Sequence, residues 1–370
     1  MSPSPPEPID LGDLSSMTPI ERRERIISVG AELGFAHVGI CTAAPTEHAD
    51  DLRAWLEAGR HGSMHYLAER VEAMLDPGRV LEGCRTVICV ADRYHGGRDR
   101  IIRDGTARGR VARYARGRDY HDVLRRRLKR LAAAITDAAG GHEARGVVDT
   151  APLLEREYAA RAGLGLVGKN TLMIRPGEGS WFLLGEVLTT LEIATDRPLT
   201  APDPCGTCTR CIDACPTGAI TPFSVDATRC LAYTTIEHRA EVDPSLHEAT
   251  GDWLFGCDVC QEVCPHNQPT RRKREAHVAE AYAQRRTGFE LLEVLDWTEE
   301  DRREAFTTSA MKRAKLDMFK RNALICAGNV LRKRDDPVLR ARIEAISVDP
   351  DEPPLVTRTA CTVLGALDSS

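Results

Sequence analysis

The sequence predicts a multidomain protein that mixes α/β and α+β structure and ends in α-helical repeats. Three observations support this prediction. Helical and strand-like stretches alternate up to about residue 200, eight of the thirteen cysteines lie between residues 205 and 264, and strand signals fade beyond about residue 270. A chain of 370 residues is long enough for two or three domains, each with its own core.

The first region predicts an α/β domain. Residues 1–16 are typical of a flexible tail, and the domain is expected to span residues 17–200. Helical stretches such as HADDLRAWLEAG and DYHDVLRRRLKRLAAAITDAA lie between strand-like runs, which are FAHVGI, TVICVA, GVVD and WFLLGEVLTTLEI. Alternation of this kind indicates helices packed around a sheet.

The second region, residues 201–270, has cysteine spacings typical of iron–sulfur proteins. The segment that begins at Cys205 fits C-x2-C-x2-C-x3-C-P, the bacterial ferredoxin run, whose fourth cysteine ligates the other cluster of a two-cluster protein. A second run, GCDVCQEVCP, lacks only the first cysteine, and Cys230 between the runs is the natural eighth thiolate. We therefore expect two 4Fe–4S clusters, one bound by Cys205, Cys208, Cys211 and Cys264 and the other by Cys215, Cys230, Cys257 and Cys260.

Zinc and disulfides are the alternatives for these cysteines. Zinc sites usually combine separated C-x2-C pairs in a tetrahedral set, which fits the first run less well than a cubane does. Disulfides are disfavoured because we expect a cytoplasmic protein: MSPSPPEPID has neither the positive region nor the apolar stretch of a secretory signal. The five cysteines outside the region lie in apolar segments and are expected to be core residues: Cys41, Cys84, Cys89, Cys326 and Cys361.

The third region, residues 271–370, predicts short amphipathic helices. Their segments are LLEVLDW, EEDRREAF, MFKRNALICAGNVLRKR and PVLRARIEAI. The similar stretches FKRNALICAGN and VTRTACTVLGAL hint at paired-helix repeats of the HEAT type. No apolar run approaches the roughly 20 residues needed to cross a membrane.

Charge is distributed unevenly along the chain. The net charge is −5, yet residues 103–130 contain eleven Lys or Arg and three acids, and residues 312–342 contain ten and three. Two basic tracts on a mildly acidic protein suit a polyanionic partner. An arginine-rich helix surface explains the composition equally well, so charge alone leaves both interpretations open.

The segment GLGLVGKN, residues 163–170, matches dinucleotide-binding and phosphate-loop patterns. Such loops follow a strand and open a helix, whereas here helical PLLEREYAARA precedes the segment and strand-like TLMI follows it. We therefore reject a nucleotide site. The glycines would still let the backbone approach a large cofactor, with Lys169 and Asn170 offering polar contacts.

The segment DYHDVL begins like the D-x-H-x-x-G motif whose histidine ligates cobalt in some cobalamin enzymes. Leu124 replaces the glycine of that motif, and the segment opens a strongly basic helix pattern. We therefore expect His121 to be a surface or pocket residue rather than a metal ligand.

Asp149 stands where the apolar run GVVD meets the segment TAPLLER. One interpretation is a helix N-cap, because Asp and Thr side chains satisfy free helix N–H groups. The other is a general acid at the carboxyl edge of the sheet, where α/β folds bind ligands. The second role requires Asp149 to be shielded from water, with its pKa raised enough to hold a proton near neutrality.

These motifs, in order and over nearly the whole chain, resemble the epoxyqueuosine reductase family. The matching stretches are GSMHYLAER, RYARGRDYHDVLRRRLKRL, VDTAPLLEREYAARAGLGLVGKNTLMI, CGTCTRCIDACPTGAI, RCLAYTTIEHR and GCDVCQEVCPHN. The resemblance implies a first domain that binds cobalamin without a protein histidine on cobalt, a ferredoxin-like domain with two clusters, and helical repeats. It also implies a reductase that converts the epoxide of epoxyqueuosine at the tRNA wobble position to the alkene of queuosine, the last step of queuosine biosynthesis.

The resemblance implies roles for particular residues as well. Asp149 would donate a proton to the departing oxygen while the clusters relay electrons to cobalt. Besides Asp149, the residues expected to contact cobalamin are Arg113, Tyr114, Lys169, Asn170 and Asp258. The residues of the third region expected to contact tRNA phosphates are Lys312, Lys315, Lys320, Arg321 and Arg332.

The expected partners are queuosine-family tRNAs, bound through the anticodon loop, and a low-potential electron donor such as flavodoxin or ferredoxin. We expect no membrane association and a monomer. One alternative is a reductive dehalogenase, which also combines cobalamin with two clusters but usually carries an export signal. The other is an electron-transfer ferredoxin with a helical interaction module, which leaves the first 200 residues without a role.

Overall fold

Four strands of the first region lie where the apolar runs of the sequence predict them. The computed structural model describes residues 9–96, 105–200, 203–270 and 277–369. Its strands are β1 (His37–Thr42), β2 (Thr86–Arg93), β3 (Arg108–Val111), β4 (Ala144–Val147), β5 (Leu166–Val167), β6 (Met173–Ile174), β7 (Phe182–Thr189), β8 (Ile220–Thr221), β9 (Ser224–Val225), β10 (Trp253–Phe255) and β11 (Gly288–Glu290). The four runs predicted from the first region correspond to β1, β2, β4 and β7.

Helices fill the intervals between these strands and the end of the chain. They are α1 (Pro19–Glu32), α2 (Ala49–Glu57), α3 (His65–Glu69), α4 (Val71–Leu75), α5 (Tyr120–Ala138), α6 (Glu155–Arg161), α7 (Arg210–Asp213), α8 (Leu231–Ile236), α9 (His247–Thr250), α10 (Val259–Glu262), α11 (Leu291–Asp296), α12 (Glu299–Ala305), α13 (Leu316–Leu331), α14 (Pro337–Val348) and α15 (Pro354–Asp368). Asp119 caps α5 by accepting the N–H of His121. Within the described ranges, none of the helices combines the length and apolar character that a membrane crossing needs.

The main sheet has the strand order β1-β2-β7-β4. Every residue of β2 is buried, because helices cover both faces of the sheet. Helices α1 and α5 cover one face, where Ile26 and Leu128 pack against Val90. Helix α6 covers the other face, where Tyr158 packs with Cys89.

The strand directions correct one expectation. All pairings in the main sheet are antiparallel, so the rule that places ligands at the carboxyl edge of a parallel sheet does not apply. Asp149 is nevertheless two residues beyond the end of β4. Its N-cap interpretation is wrong, because α6 begins six residues later, at Glu155.

A second sheet joins the three regions of the chain. Strand β3 of the first region lies between β10, which pairs with it in parallel, and β11, which pairs with it antiparallel. The core around this sheet combines Val111, Phe255 and Phe289 with the helices that follow. The regions seen in the sequence are therefore packed together through shared strands.

The last three helices pack against one another, and α13 also packs against β10. Helix α13 is buried along most of its length, and this burial corrects two predicted RNA contacts. Arg321 is 0% exposed and Lys320 is 7% exposed, with its Nζ paired to Glu352 at 2.6 Å. Lys312, Lys315 and Arg332 lie on the exposed surface.

Part of the predicted tail belongs to the core. Leu11 and Leu14 are 1% and 0% exposed, and the N–H of Leu14 donates to the carbonyl of Ala138 at 2.9 Å. The tail prediction is therefore wrong for residues 9–16, whereas residues 1–8 lie outside the described residues.

The isolated cysteines follow the core prediction with one exception. Cys41, Cys89 and Cys326 are buried, and Cys84 is half-buried. Cys361 is exposed, because it lies on the outer face of α15. The prediction of a core position is wrong for that residue.

Replacing Arg321 with leucine should destabilise the protein strongly. Its buried guanidinium donates to the carbonyls of Thr234, His238 and Ala240 at 2.6, 2.7 and 2.5 Å, so Arg321→Leu would remove three hydrogen bonds and leave the buried carbonyl of Thr234 without this donor. We expect the free energy of unfolding to fall by about 3 kcal/mol or more. Urea unfolding measures this loss.

Arg340→Leu is the matched control for this substitution. Arg340 pairs with Asp368 at 3.2 Å on the surface, so its loss should cost less than about 1 kcal/mol. Equal effects of the two substitutions would contradict the role of Arg321.

Candidate active site

Four cysteines of the second region line one cavity. The cavity has a volume of about 110 Å³, and its cysteines are Cys205, Cys208, Cys211 and Cys264. The first three lie on the loop and helix around α7, and the fourth follows α10, which packs against α7. This set is the one that the sequence spacing predicts for the first cluster.

The other four cysteines influence one another's ionisation. Burial, together with the nearby thiols of Cys230 and Cys215, raises the pKa of the Cys257 thiol to about 12. Burial likewise raises the pKa of Cys260, with contributions from Cys257 and Cys230. Thiolates are stable in such a place when a metal compensates their charge.

The spacing of these side chains argues against single metal ions. Among the residues that the structure describes, no three His, Cys, Asp or Glu side chains are close enough to hold one ion. A structural zinc site brings four ligands to one ion. A 4Fe–4S cluster has four irons and takes its four cysteines at different irons, so its thiolates lie further apart.

Lys169 and Asn170 lie at the first cysteine set. The N–H of Lys169 points to Cys205 Sγ at 3.3 Å, and its Nζ donates to the carbonyls of Gly206 and Cys208 at 2.6 and 3.2 Å. Asn170 is 4% exposed and lines the same cavity. Its amide nitrogen has no hydrogen-bond partner within the described part of the chain, which leaves a buried donor beside the place of a cluster.

The glycines of GLGLVGKN serve the protein's own backbone. A Cβ at Gly165 would lie 2.7 Å from Met173 Cγ, and one at Gly168 would lie 2.4 Å from Ile174 Cδ1. These glycines therefore allow β6 to pack closely, so the expected close approach of a cofactor is not needed to explain them. The order of α6 before β6 agrees with the rejection of a nucleotide loop.

Asp149 is held in an unusual backbone conformation. Its φ is +29°, and its N–H donates to Glu155 Oε1 at 2.5 Å. Its side chain is 46% exposed, and one oxygen, Oδ2, accepts from Tyr120 Oη at 2.7 Å and from His121 Nε2 at 2.9 Å. The carboxylate is thus fixed from one side and accessible from the other.

His121 links Asp149 to a second carboxylate. Its Nδ1 lies 2.8 Å from Asp119 Oδ1, and Asp119 Oδ2 lies 2.6 Å from Lys312 Nζ. Burial acts to lower the pKa of His121, but hydrogen bonds and charges from Asp119 and Asp149 raise it to about 9. Burial acts to raise the pKa of Asp149, but His121 and Tyr120 hold it below its usual range. The raised pKa that a general-acid role of Asp149 requires is therefore not what its surroundings produce, because they favour the carboxylate.

Two further acids lie behind Asp149. Burial, together with the charge of Asp149, raises the pKa of Glu155 to about 8. Glu186 of β7 is 1% exposed, and neither of its carboxylate oxygens has a hydrogen-bond partner in the described ranges. Burial and the nearby Glu155 raise the pKa of Glu186 well above its usual range, so this acid is neutral near pH 7.

A buried ion pair connects this site to the second cysteine set. Asp258 is 2% exposed, and its Oδ2 accepts from the backbone N–H and the guanidinium of Arg113 at 2.8 and 3.0 Å. Burial raises the pKa of Tyr114, and the carboxylates of Asp149 and Asp258 raise it further. Tyr114 is therefore close to both the acid site and the second cysteine set.

Sequence reasoning identified Asp149 but missed most of its neighbours. His121 was assigned to a surface or pocket, and the structure shows it in contact with Asp149. Tyr120, Glu155 and Lys312 were not assigned to this site. The run DYHD has an aspartate on each side of the pair Tyr120 and His121. This grouping was the sequence signal that could have indicated a site with several titratable groups.

Two cysteine sets beside an acid and histidine site define an iron–sulfur oxidoreductase. A family model described as "4Fe-4S double cluster binding domain" matches residues 204–267, which contain all eight cysteines of both sets. A second model, described as "Epoxyqueuosine reductase QueG, DUF1730", matches residues 75–150.

Relatives of known identity define the family. The epoxyqueuosine reductase of Cyclobacterium marinum is 36% identical over 310 residues, which are 83% of this chain and 97% of the relative. A crystal structure of epoxyqueuosine reductase with an epoxyqueuosine-modified tRNA-Tyr stem loop has a TM-score of 0.84 at 26% identity, over 93% of this chain and 89% of that one. The Bacillus subtilis enzyme, described with its catalytic aspartate loop swung out of the active site, has a TM-score of 0.82 at 25% identity, over 93% and 90% of the two chains. The chain belongs to the epoxyqueuosine reductase family, which confirms the resemblance drawn from its sequence.

Replacing Glu186 with glutamine should flatten the pH dependence of stability. A carboxyl whose pKa is raised in the folded state stabilises the fold fully below its unfolded pKa, and this contribution is lost as pH rises through the folded pKa. The wild type should therefore lose stability from about pH 5 upward, by at most about 1.4 kcal/mol per pH unit for this group. The free energy of unfolding of Glu186→Gln, measured by urea unfolding, should fall less over the same pH range.

The exposed Glu192, which follows β7, supplies the control. Glu192→Gln should leave the slope of stability against pH as it is in the wild type, because that side chain is 58% exposed. A wild-type slope in Glu186→Gln would contradict the assignment of a buried neutral acid.

Proposed function

We propose that this protein reduces the epoxide of epoxyqueuosine in tRNA to the alkene of queuosine, with cobalamin as the reacting cofactor and two 4Fe–4S clusters as the electron path. The reaction consumes two electrons and two protons and releases the epoxide oxygen as water. The observation that carries the proposal is the position of Asp149, an accessible carboxylate fixed by Tyr120 and His121 and linked through Tyr114 to the second cysteine set.

The proposed cluster ligands follow the two cysteine sets. The first set shares a cavity, and the members of the second set raise one another's pKa values. We assign the first cluster to Cys205, Cys208, Cys211 and Cys264 and the second to Cys215, Cys230, Cys257 and Cys260. The second cluster lies nearer the acid site, because Cys257 and Cys260 flank Asp258.

The residues around Asp149 fit a cobalamin that receives no histidine ligand from the chain. Both ring nitrogens of His121 are engaged by carboxylates, and the raised pKa of His121 keeps the ring protonated at neutral pH. Bound cobalamin would supply a strongly reducing, nucleophilic metal centre. Asp149, Tyr114 and the Arg113–Asp258 pair would border it, whereas Lys169 and Asn170 have contacts that suit the first cluster better.

The chain's own residues would manage the oxygen and its protons. Asp149 would hydrogen-bond to the epoxide oxygen and deliver a proton to it as the carbon–oxygen bond breaks. Tyr120 and His121 would hold Asp149 Oδ2 and orient the free side of the carboxylate. Glu155 would maintain the strained backbone of Asp149 by accepting its N–H.

A basic groove beside this site suits the tRNA substrate. The open groove has a volume of about 470 Å³ next to Asp119, and its cations are Arg118, Arg125, Arg126 and Lys129. The exposed Lys315 and Arg332 extend the positive surface on the third region, whereas Arg103 of the basic tract lies outside the described residues. Phosphate contacts of this kind would give salt-sensitive affinity, and a wobble base splayed from the anticodon loop would reach Asp149.

The remaining partners follow from the reaction. Since the second cluster would be the one nearer the acid site, electrons would enter through the first cluster from a low-potential donor such as flavodoxin or ferredoxin. A tRNA substrate would place the reaction in the cytoplasm. The proposed site needs no second copy of the chain, because all of its residues lie on one chain, and this favours a monomer.

Omitting cobalamin should abolish product formation, and replacing Asp149 should slow it strongly. Anaerobic incubation of the cluster-loaded protein with reductant, cobalamin and epoxyqueuosine tRNA should yield a nucleoside one oxygen atom lighter, detected by mass spectrometry. Asp149→Asn should slow this conversion by about 100-fold or more, because proton transfer to the oxygen is lost. Asp137→Asn, on the exposed surface of α5, should leave both rate and iron content unchanged.

Two outcomes would contradict this assignment. Full conversion without cobalamin would exclude it as the reacting cofactor. Conversion by Asp149→Asn at the wild-type rate would show that Asp149 is not the acid that protonates the departing oxygen.

Neutralising the groove should weaken tRNA binding in a salt-dependent way. The double variant Arg125→Ala and Arg126→Ala should bind tRNA less tightly and reduce the slope of log affinity against log salt by about 1 to 2, because two phosphate contacts are lost. Filter binding over a salt series measures the affinity for tRNA and its dependence on salt. Arg53→Ala, on the exposed surface of α2, is the control, and an unchanged slope in the double variant would place the tRNA elsewhere.

A further inference from the structure

We propose that His121 acts through Asp149 as a positioning residue that supplies one of the two protons consumed in each turnover. The inference rests on the proposed function, because it requires Asp149 to protonate the departing oxygen. It adds a proton store behind the acid, made of Asp119, His121 and Asp149 in a continuous hydrogen-bonded line.

The geometry of this line is suited to proton transfer. His121 Nε2 lies 2.9 Å from Asp149 Oδ2, and His121 Nδ1 lies 2.8 Å from Asp119 Oδ1. His121 also donates its backbone N–H to Asp119 Oδ1 at 3.1 Å, so the ring and the carboxylate are fixed to the start of α5. Both distances are within the range in which a general base or acid exchanges a proton.

The resting charges place the proton on the histidine. Asp149 has a pKa below its usual range, so near pH 7 it has no proton of its own to donate. His121 has a pKa of about 9 and carries the proton instead. Lys312 and His121 outweigh the effect of burial and lower the pKa of Asp119, which remains an anion that stabilises the imidazolium. Charged and titratable groups approach the histidine from four parts of the chain. They are Asp119 at the cap of α5 with Tyr120 and Asp122 in that helix, Asp149 after β4, Glu155 in α6, and Lys312 and Arg313 in the turn before α13.

The steps balance with the reaction. When negative charge develops on the epoxide oxygen, the proton leaves Nε2 for the Asp149 carboxylate, and Asp149 transfers a proton to that oxygen. The proton from His121 converts the opened epoxide oxygen to a hydroxyl group, and a second proton, taken from solvent, converts the hydroxyl group to the departing water. The two electrons come from the low-potential donor through the clusters, and solvent returns the proton to His121.

Tyr120 offers a matched comparison on the same oxygen. It donates to Asp149 Oδ2 at 2.7 Å, as close as His121, but burial and the charge of Asp149 raise the pKa of its hydroxyl group far above neutrality. Tyr120 therefore orients Asp149 without supplying a proton. Comparing Tyr120→Phe with His121→Gln separates orientation from proton supply.

The test is the pH profile of single-turnover conversion, from about pH 6 to about pH 9.5, in proteins of equal iron and cobalamin content. The wild-type rate should stay level near neutrality and fall at alkaline pH, as His121 loses its proton. His121→Gln should be about 100-fold slower near neutrality, with a rate that already falls about tenfold per pH unit there, because Asp149 must take its proton from water. Tyr120→Phe should lose less than about tenfold and keep the wild-type profile.

A second readout does not depend on conversion. Diethyl pyrocarbonate modifies neutral imidazole, so peptide mass analysis of the cluster-loaded protein should show His121 modified only at alkaline pH, and at lower pH in Asp149→Asn. The exposed His48 controls for reagent activity. Modification of wild-type His121 below about pH 7 would overturn the proposal, because the proton would not be stored there.

Two kinetic outcomes are equally decisive. A wild-type pH profile in His121→Gln, with no greater loss than in Tyr120→Phe, would make His121 an orienting residue only and overturn the proposal. No product from the wild type would overturn the proposed function and the role of His121 in that reaction together, whereas the modification profile would still report where the proton is held.

Discussion

The pairing of β3 with β10 is the constraint on which the arrangement of both centres depends. The N–H groups of Arg110 and Ala112 donate to the carbonyls of Asp252 and Phe255 at 2.6 and 2.8 Å, which fixes the cysteine region to the first region. The residues that follow each strand then meet: Arg113 after β3 pairs with Asp258 after β10. Because α5 begins seven residues after Arg113, the same strand also positions Tyr120 and His121.

In the proposed mechanism, this constraint would separate the supply of electrons from the supply of protons while keeping both close to Asp149. Tyr114 and Cys257 of the second cysteine set pack against the same buried residues, and Tyr114 also contacts Tyr120, which donates to Asp149. An epoxide reduction needs both supplies at one carbon–oxygen bond. The buried neutral acids Glu155 and Glu186 keep further negative charge away from Asp149, which would otherwise raise its pKa and weaken its pairing with His121.

The sequence was sufficient where chemistry depends on spacing or on long apolar runs. Cysteine spacing groups the four cysteines that line one cavity, and the apolar runs predict β1, β2, β4 and β7. It was insufficient where a contact joins distant segments. Strand β3, with the polar sequence RGRV, gives no strand signal, because its pairing partners rather than its own residues make it a strand. Arg321 was assigned to the surface for a similar reason. Its guanidinium is buried because it donates to carbonyls of the second region, and the sequence does not indicate that contact.

The proposed corrinoid would lie between Asp149 and the second cysteine set and would receive no histidine ligand from the chain. The most direct test is electron paramagnetic resonance of cob(II)alamin bound to the cluster-loaded protein, prepared with either ordinary or ¹⁵N-labelled histidine. We expect identical nitrogen hyperfine patterns in the two samples and broadening of the cobalt signal when the clusters are reduced. A pattern that changes with the histidine label, or a cobalt signal unaffected by cluster reduction, would contradict this arrangement.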